Sequence, residues 1–286
     1  MVWSLFAVSG AVLTAVYYIL IKRYLRDVDL HVLAGGVFLA TAAILAVFSL
    51  IRGIPEIGPG FWPAAAVTSF LNVIASLLYF KALRMTDISL TVPMLSFTPV
   101  FLIGTSFLIL GESPGSAGLA GIFLIGGGSY VLNTSPRAGL LDPFRSVFRN
   151  RGVLYMLGVA FLFSISANFD KQVVLHSDPF YGSAVVFGVL GVFFLIEAGR
   201  RTPDLAAVFR MHWSRFLLAG GAQALAAVAV NIAFTLQIVP YVISLKRLSI
   251  FFAVLFGGIF LREPEIVRRG IGAAIMLAGM ILIVLS

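Results

Sequence analysis

Two adjacent cations, Lys246 and Arg247, stand inside the apolar run YVISLKRLSIFFAVLFGGIFL. In hydrocarbon a cation is costly unless it faces water, an anion or a partner group, so such a pair points to a binding site. Two neighbouring cations with amide donors nearby suit a multi-oxygen anion, a phosphate first and a carboxylate second. On a helix starting near Pro240, a rise of about 1.5 Å per residue sets the pair roughly 10 Å along it, and adjacent residues point about 100° apart. One therefore faces a cavity while the other braces a neighbouring helix or reaches the same anion from the side. The competing reading is that both side chains snorkel to the near interface, which their length permits.

A second tier consists of amides and phenols within other apolar runs: Asn72, Asn168, Gln223 and Asn231, with Tyr17, Tyr18 and Tyr79. Amides in lipid must find partners, so they face the interior, either lining a site or joining helices. The tyrosines either contact a solute or belong to an interfacial belt. Lys22 and Lys171 end two runs, Asp170 is placed to pair with Lys171, and Lys81 lies near the end of a third run. Glu112, Glu263, Asp170 and Glu197 all fall near run ends, which weakens a proton relay through a mid-membrane carboxylate. Cysteine is absent and histidine is limited to His31, His176 and His212. Disulfide frameworks and thiolate metal sites are excluded, an enzyme is not expected, and no cofactor motif stands out.

The elements that must position these residues follow from composition. Of 286 residues 60% are hydrophobic and 11% charged, with a mean hydropathy of +1.05. Soluble domains carry roughly a quarter charged residues, so this chain reads as a membrane protein. Hydropathy marks ten spans, at about 2 to 21, 31 to 51, 62 to 83, 88 to 110, 116 to 133, 153 to 170, 180 to 198, 214 to 236, 240 to 261 and 268 to 285. The fold class is an all-α bundle, because only helices and closed barrels satisfy the backbone in lipid and barrel alternation is missing. The first basic residue is Lys22, after the first run, so that run reads as a retained membrane helix rather than a cleaved signal.

The polar stretch TSPRAGLLDPFRSVFRNRG separates two groups of five spans. It predicts a first five-helix repeat over 1–134, a linker over 135–151 and a second repeat over 152–286. A shift of 151 pairs Glu112 with Glu263, Gly121 with Gly272 and Gly128 with Gly279; a shift of 149 pairs Lys22 with Lys171 and Asp29 with Asp178. Five being odd, the second repeat enters the membrane from the opposite side, so the repeats are inverted. The net charge of +8 is an orientation signal rather than a sign of nucleic-acid binding. Sixteen of the 20 Lys and Arg fall at loops 1/2, 3/4, 7/8, 9/10 and the linker, against two at the remaining loops. The positive-inside rule then puts the basic loops in the cytoplasm and both termini outside a cell membrane.

The endings Leu110-Gly111-Glu112 and Leu261-Arg262-Glu263, the glycine spacing of the following spans and the two five-span halves resemble the EamA-type branch of the drug/metabolite transporter superfamily. That resemblance covers nearly the whole chain. It implies a secondary transporter working by alternating access, with a central cavity between spans one, three, four, six, eight and nine, and spans five and ten as support or homodimer contacts. The stretch Ser244-Leu245-Lys246-Arg247 is similar to the phosphate-translocator branch, where adjacent Lys and Arg hold a phosphate; the Asn of the nucleotide-sugar transporter motif is absent. The expected substrate is a small organic anion, phosphorylated or carboxylated, held by Lys246, Arg247, Asn168, Asn231, Gln223, Tyr18, Tyr79 and Asn72. Two alternatives stay open: an exporter of amino acids or hydrophobic drugs, and a flippase for a lipid with a phosphate headgroup.

Overall fold

The computed structural model describes residues 1–25, 27–133, 141–147, 149–261 and 266–286. Its helices are α1 (Val2–Tyr24), α2 (Leu30–Arg52), α3 (Phe61–Met85), α4 (Ile88–Thr91), α5 (Thr98–Leu110), α6 (Ser116–Asn133), α7 (Asp142–Val147), α8 (Arg151–Leu175), α9 (Pro179–Arg201), α10 (Leu205–Leu236), α11 (Val239–Lys246), α12 (Leu248–Leu261) and α13 (Ile266–Leu285), with a 3-10 stretch over Val92–Phe97 between α4 and α5. The chain is an all-α, multi-pass integral membrane protein. Nine segments among the described residues are long and apolar enough to cross a bilayer, and Gly270–Leu285 adds a shorter apolar helix. No β-strand occurs among the described residues.

Packing between the halves has an internal two-fold pattern. Helix α2 packs on α9 and α6 on α13; α3 on α8 is matched by α1 on α10, and α1 on α12 by α5 on α8. Exchanging each span for its partner five spans away reproduces that set of contacts, which is what two related five-span halves produce. Asp29 and Asp178, paired by the sequence shift, take the same role: each is the N-cap of the second helix of its half. Asp29 accepts from the His31 N–H at 2.9 Å, and Asp178 accepts from the Phe180 N–H at 2.9 Å and the Tyr181 N–H at 2.6 Å.

The glycine spacing shared by α6 and α13 has a direct cause in their crossing. A Cβ on Gly121 would lie 2.7 Å from the carbonyl oxygen of Gly279, and one on Gly128 would lie 2.6 Å from that of Gly272. The helices cross backbone to backbone at two points a turn or two apart, where any side chain would force them apart. Span five thus packs on span ten of the same chain.

Two expectations need correction. Span six does not end near Asp170: α8 continues to Leu175, so Asp170 and Lys171 are helical residues with a further turn beyond them. Span nine is not one helix. It breaks after Lys246, where the Arg247 N–H is shared between the Ile243 and Ser244 carbonyls at 3.1 Å each. Ser244 Oγ also bonds back to the Pro240 carbonyl at 2.6 Å, a contact that bends helices. Span four breaks in the corresponding place: Pro93 and Pro99 cannot donate to the helix ladder, and Val92–Phe97 tightens to a 3-10 turn. The expected linker contains helix α7 in its described part; residues 134–140 and 148, with Glu263, lie outside the described residues.

Candidate functional site

A cavity of about 320 Å³ opens among α1, α2, α3, α8, α9 and α10 and the two helix breaks. That volume is at the small end of the range for ligand sites. Phe38, Phe163, Phe187 and Phe234 supply much of its apolar wall. Its lining runs from Thr98 and Arg247 at the breaks to Val173 and Gly182, each within a turn of the loop between α8 and α9.

Lys246 and Arg247 both line this space. Arg247 Nη2 donates to Thr98 Oγ1 at 2.6 Å, and Thr98 Oγ1 donates in turn to the Leu95 carbonyl at 2.9 Å. One cation is thus braced on the opposite broken span. Lys246 makes no hydrogen bond and no ion pair within 4.0 Å among the described residues. The two adjacent cations therefore differ: a guanidinium held by a hydrogen bond and an ammonium that makes none among the described residues.

Facing them is a group read from sequence as interfacial. Asp170 lines the cavity, and its Oδ1 accepts from Thr68 Oγ1 at 2.5 Å. Behind Thr68 the chain continues through Ser166 Oγ at 2.8 Å to Asn72 Nδ2, which donates to that hydroxyl at 2.6 Å. Asn72 Nδ2 also donates to the Thr68 carbonyl at 2.9 Å and lies 3.1 Å from Thr68 Oγ1, so the four side chains form one polar cluster. Lys246 and Asp170 interact electrostatically across the cavity. A signal for Asp170 was present in the sequence: Ser164, Ser166, Asn168 and Asp170 stand at alternate positions of an otherwise apolar run, too many polar groups for a helix facing lipid.

The other expected site residues divide. Tyr18, Asn72, Gln223 and Asn231 share the cavity wall with the cations. Asn231 Nδ2 donates to Ser183 Oγ at 2.6 Å, tying α10 to α9, whereas Gln223 makes no hydrogen bond among the described residues. Asn168 and Tyr79 lie off that wall. Asn168 is fully buried: Oδ1 accepts from Ser106 Oγ at 2.6 Å, and Nδ2 donates to the Ser164 carbonyl at 2.8 Å, which braces α8 on α5. Tyr79 packs edge-on against Phe80 at 6.1 Å between ring centroids. Lys81 is exposed, with its ammonium 4.9 Å from the Tyr155 ring centroid.

Lys171 does not pair with Asp170. Its Nζ donates to Glu112 Oε1 at 2.6 Å and to the Gln237 carbonyl at 2.8 Å, while Glu112 Oε2 accepts from the Val239 N–H at 2.7 Å. Glu112, which ends span four, thus caps the start of α11 and holds α8 and the end of α10 in one knot. Both side chains are nearly buried, at 13% and 12% exposure, so every lone pair satisfied there offsets a large desolvation cost. Tyr241 adds a fourth tie, its hydroxyl oxygen accepting from the Gly115 N–H at 3.0 Å. No group of three or more metal-ligating His, Cys, Asp or Glu side chains occurs among the described residues.

Comparison with known proteins agrees with this architecture. Residues 1–134 match the EamA-like transporter family. No curated protein matches the chain. A solved crystal structure, 15% identical in sequence, superposes with a TM-score of 0.79, covering 99% of this chain and 97% of its own. At that identity the likeness shows the fold alone.

Proposed function

We propose that both halves of this chain are EamA-like repeats and that the protein moves small organic anions across the membrane by alternating access, with Lys246 and Arg247 holding the anionic group. The observation that carries this reading is the contrast within the cation pair. A lysine ammonium inside the membrane that makes no hydrogen bond and no ion pair within 4.0 Å among the described residues keeps its donors for another group, and the cavity provides space for an anion to meet them. Arg247, fixed by Thr98, presents its remaining donors in a set direction, while Lys246 closes on the same group from its flexible stem. Gln223 and Tyr18 supply neutral donors on the same wall, and the phenylalanines accommodate the carbon skeleton. Inverted five-span halves with broken fourth and ninth spans support alternating access, since rocking one half against the other re-exposes a site at the breaks to the opposite side.

The test is a thermal-shift screen of the purified protein against inorganic phosphate, phosphate esters, dicarboxylates and amino acids, repeated on Lys246→Ala and Arg247→Ala. Anions that bind the folded form raise the unfolding temperature with concentration. Stabilisation by phosphate or dicarboxylates that both variants lose supports the reading; equal stabilisation of all three proteins sinks it.

A second reading is favoured by Asp170. A solute carrying an ammonium as well as a carboxylate, such as an amino acid, would satisfy Asp170 and Lys246 together. Amino acids would then outperform phosphate in the same screen.

A further inference from the structure

Asp170 is the only carboxylate on the described cavity wall, and binding an anion gives it no task. Indeed it costs affinity, because a fixed negative charge on the wall repels the ligand that the cations attract. Its position is nonetheless well secured. Oδ1 is held by Thr68, backed by Ser166 and Asn72, while Oδ2 makes no hydrogen bond among the described residues. It lies on α8, which packs against α11, whose last residue is Lys246. The structure therefore sets a tethered carboxylate with one open oxygen across a shared cavity from an ammonium that makes no hydrogen bond and no ion pair within 4.0 Å among the described residues.

We propose that Asp170 is the internal counter-ion of the empty carrier: when no anion is bound, Lys246 swings from the substrate position to the open oxygen of Asp170, and the neutralised pair lets the unloaded cavity change its facing. This rests on the anion reading above. The charge count explains the need. With Asp170 ionised, the empty wall carries Lys246, Arg247 and Asp170, one net positive charge, whereas without it the wall carries two. Moving uncompensated charge through a low-dielectric setting is the main obstacle to turning over an empty carrier. An incoming anion then takes Lys246 from Asp170, so loading and unloading exchange one counter-charge for another.

The experiment uses the full chain in proteoliposomes with radiolabelled inorganic phosphate as the probe, and succinate in a parallel set. Two modes are compared: exchange, with the anion on both sides, and net efflux into anion-free medium. In Asp170→Asn, which keeps an acceptor for Thr68, exchange persists, and the readout is the ratio of net efflux to exchange. The half-saturation of exchange falls roughly tenfold with the repulsion removed, and net efflux drops about tenfold or more. Thr68→Val keeps the charge and loses the tether, and it retains both modes within a few-fold of wild type. Equal loss of both modes in the two variants would make Asp170 a packing residue and overturn the proposal. Loss of binding together with both modes in Asp170→Asn alone would make it a contact for a cationic part of the solute, which also overturns it. Unchanged kinetics in Asp170→Asn does the same. Wild-type protein that neither exchanges nor is thermally stabilised by phosphate or succinate overturns the anion reading itself, and the counter-ion with it.

Discussion

Arg247 Nη2 and Thr98 Oγ1 are joined by a 2.6 Å hydrogen bond that ties the break in span nine to the break in span four. Thr98 is the first residue of α5, directly after the 3-10 stretch, and Arg247 is the residue between α11 and α12. The two irregular points of the bundle are therefore coupled by one charged donor and one hydroxyl. Thr98→Val removes the acceptor and leaves a desolvated guanidinium short of a partner, which costs about 1–3 kcal/mol. A lowered unfolding temperature for Thr98→Val with recovery in Thr98→Ser is the expected result. Equal temperatures for the two variants would show that the bond contributes nothing.

The Glu112–Lys171 knot should show strong coupling between its members. Lys171→Met leaves a buried carboxylate with only the Val239 N–H and costs about 3–5 kcal/mol, as breaking a buried pair from one side does. Removing both charges in Lys171→Met with Glu112→Gln leaves no orphan charge, so the double variant unfolds at a higher temperature than Lys171→Met alone. Simple addition of the two single effects would contradict the pairing.

The α6–α13 crossing allows a comparison of neighbouring glycines. Gly128→Ala places a Cβ 2.6 Å from the Gly272 carbonyl oxygen, whereas Gly127 has nothing within 4 Å of the same added atom. Gly128→Ala is expected to destabilise by about 1–3 kcal/mol, the usual cost of overpacking. Gly127→Ala should leave the unfolding temperature unchanged or slightly raised. A reversal of that order would show that the crossing is looser than described.

Orientation is set by charge. With sixteen basic residues on one set of loops and two on the other, the positive-inside rule predicts the loop between α1 and α2 in the cytoplasm and the C-terminus outside. A C-terminal reporter that functions only outside the cytoplasm should be active, and one that functions only in the cytoplasm should be silent. The opposite pattern would invert the assignment.

How much of this was legible in the sequence depended on whether the controlling physics was local. The ten runs, the repeat pairing of Asp29 with Asp178 and the glycine spacing of α6 and α13 follow from hydropathy, internal repetition and small-residue patterns that a single chain displays, whereas the capping role of the two aspartates was seen only in the structure. The break at Arg247 was not legible, since it has no proline or glycine and arises within a helix bent by Ser244 and held from another span by Thr98. Asp170 was misplaced because hydropathy ends a span at the first charge. A carboxylate extends the helix only when other groups take up its desolvation cost, here the hydroxyl of Thr68 on α3, itself bonded to Ser166 of α8. Asn168 and Asn231 looked alike as amides in apolar runs, and only packing shows that one joins α8 to α5 while the other reaches the cavity.

Lys246 offers the most direct test, because it bears on the cavity while contributing no hydrogen bond or close ion pair to the described fold. The measurement is the unfolding temperature of purified wild type and Lys246→Ala as a function of inorganic phosphate concentration. The anion reading predicts similar unfolding temperatures without phosphate, a rising temperature with phosphate for wild type, and a response in Lys246→Ala shifted to at least about tenfold higher concentration. Superimposable phosphate responses of the two proteins would contradict it.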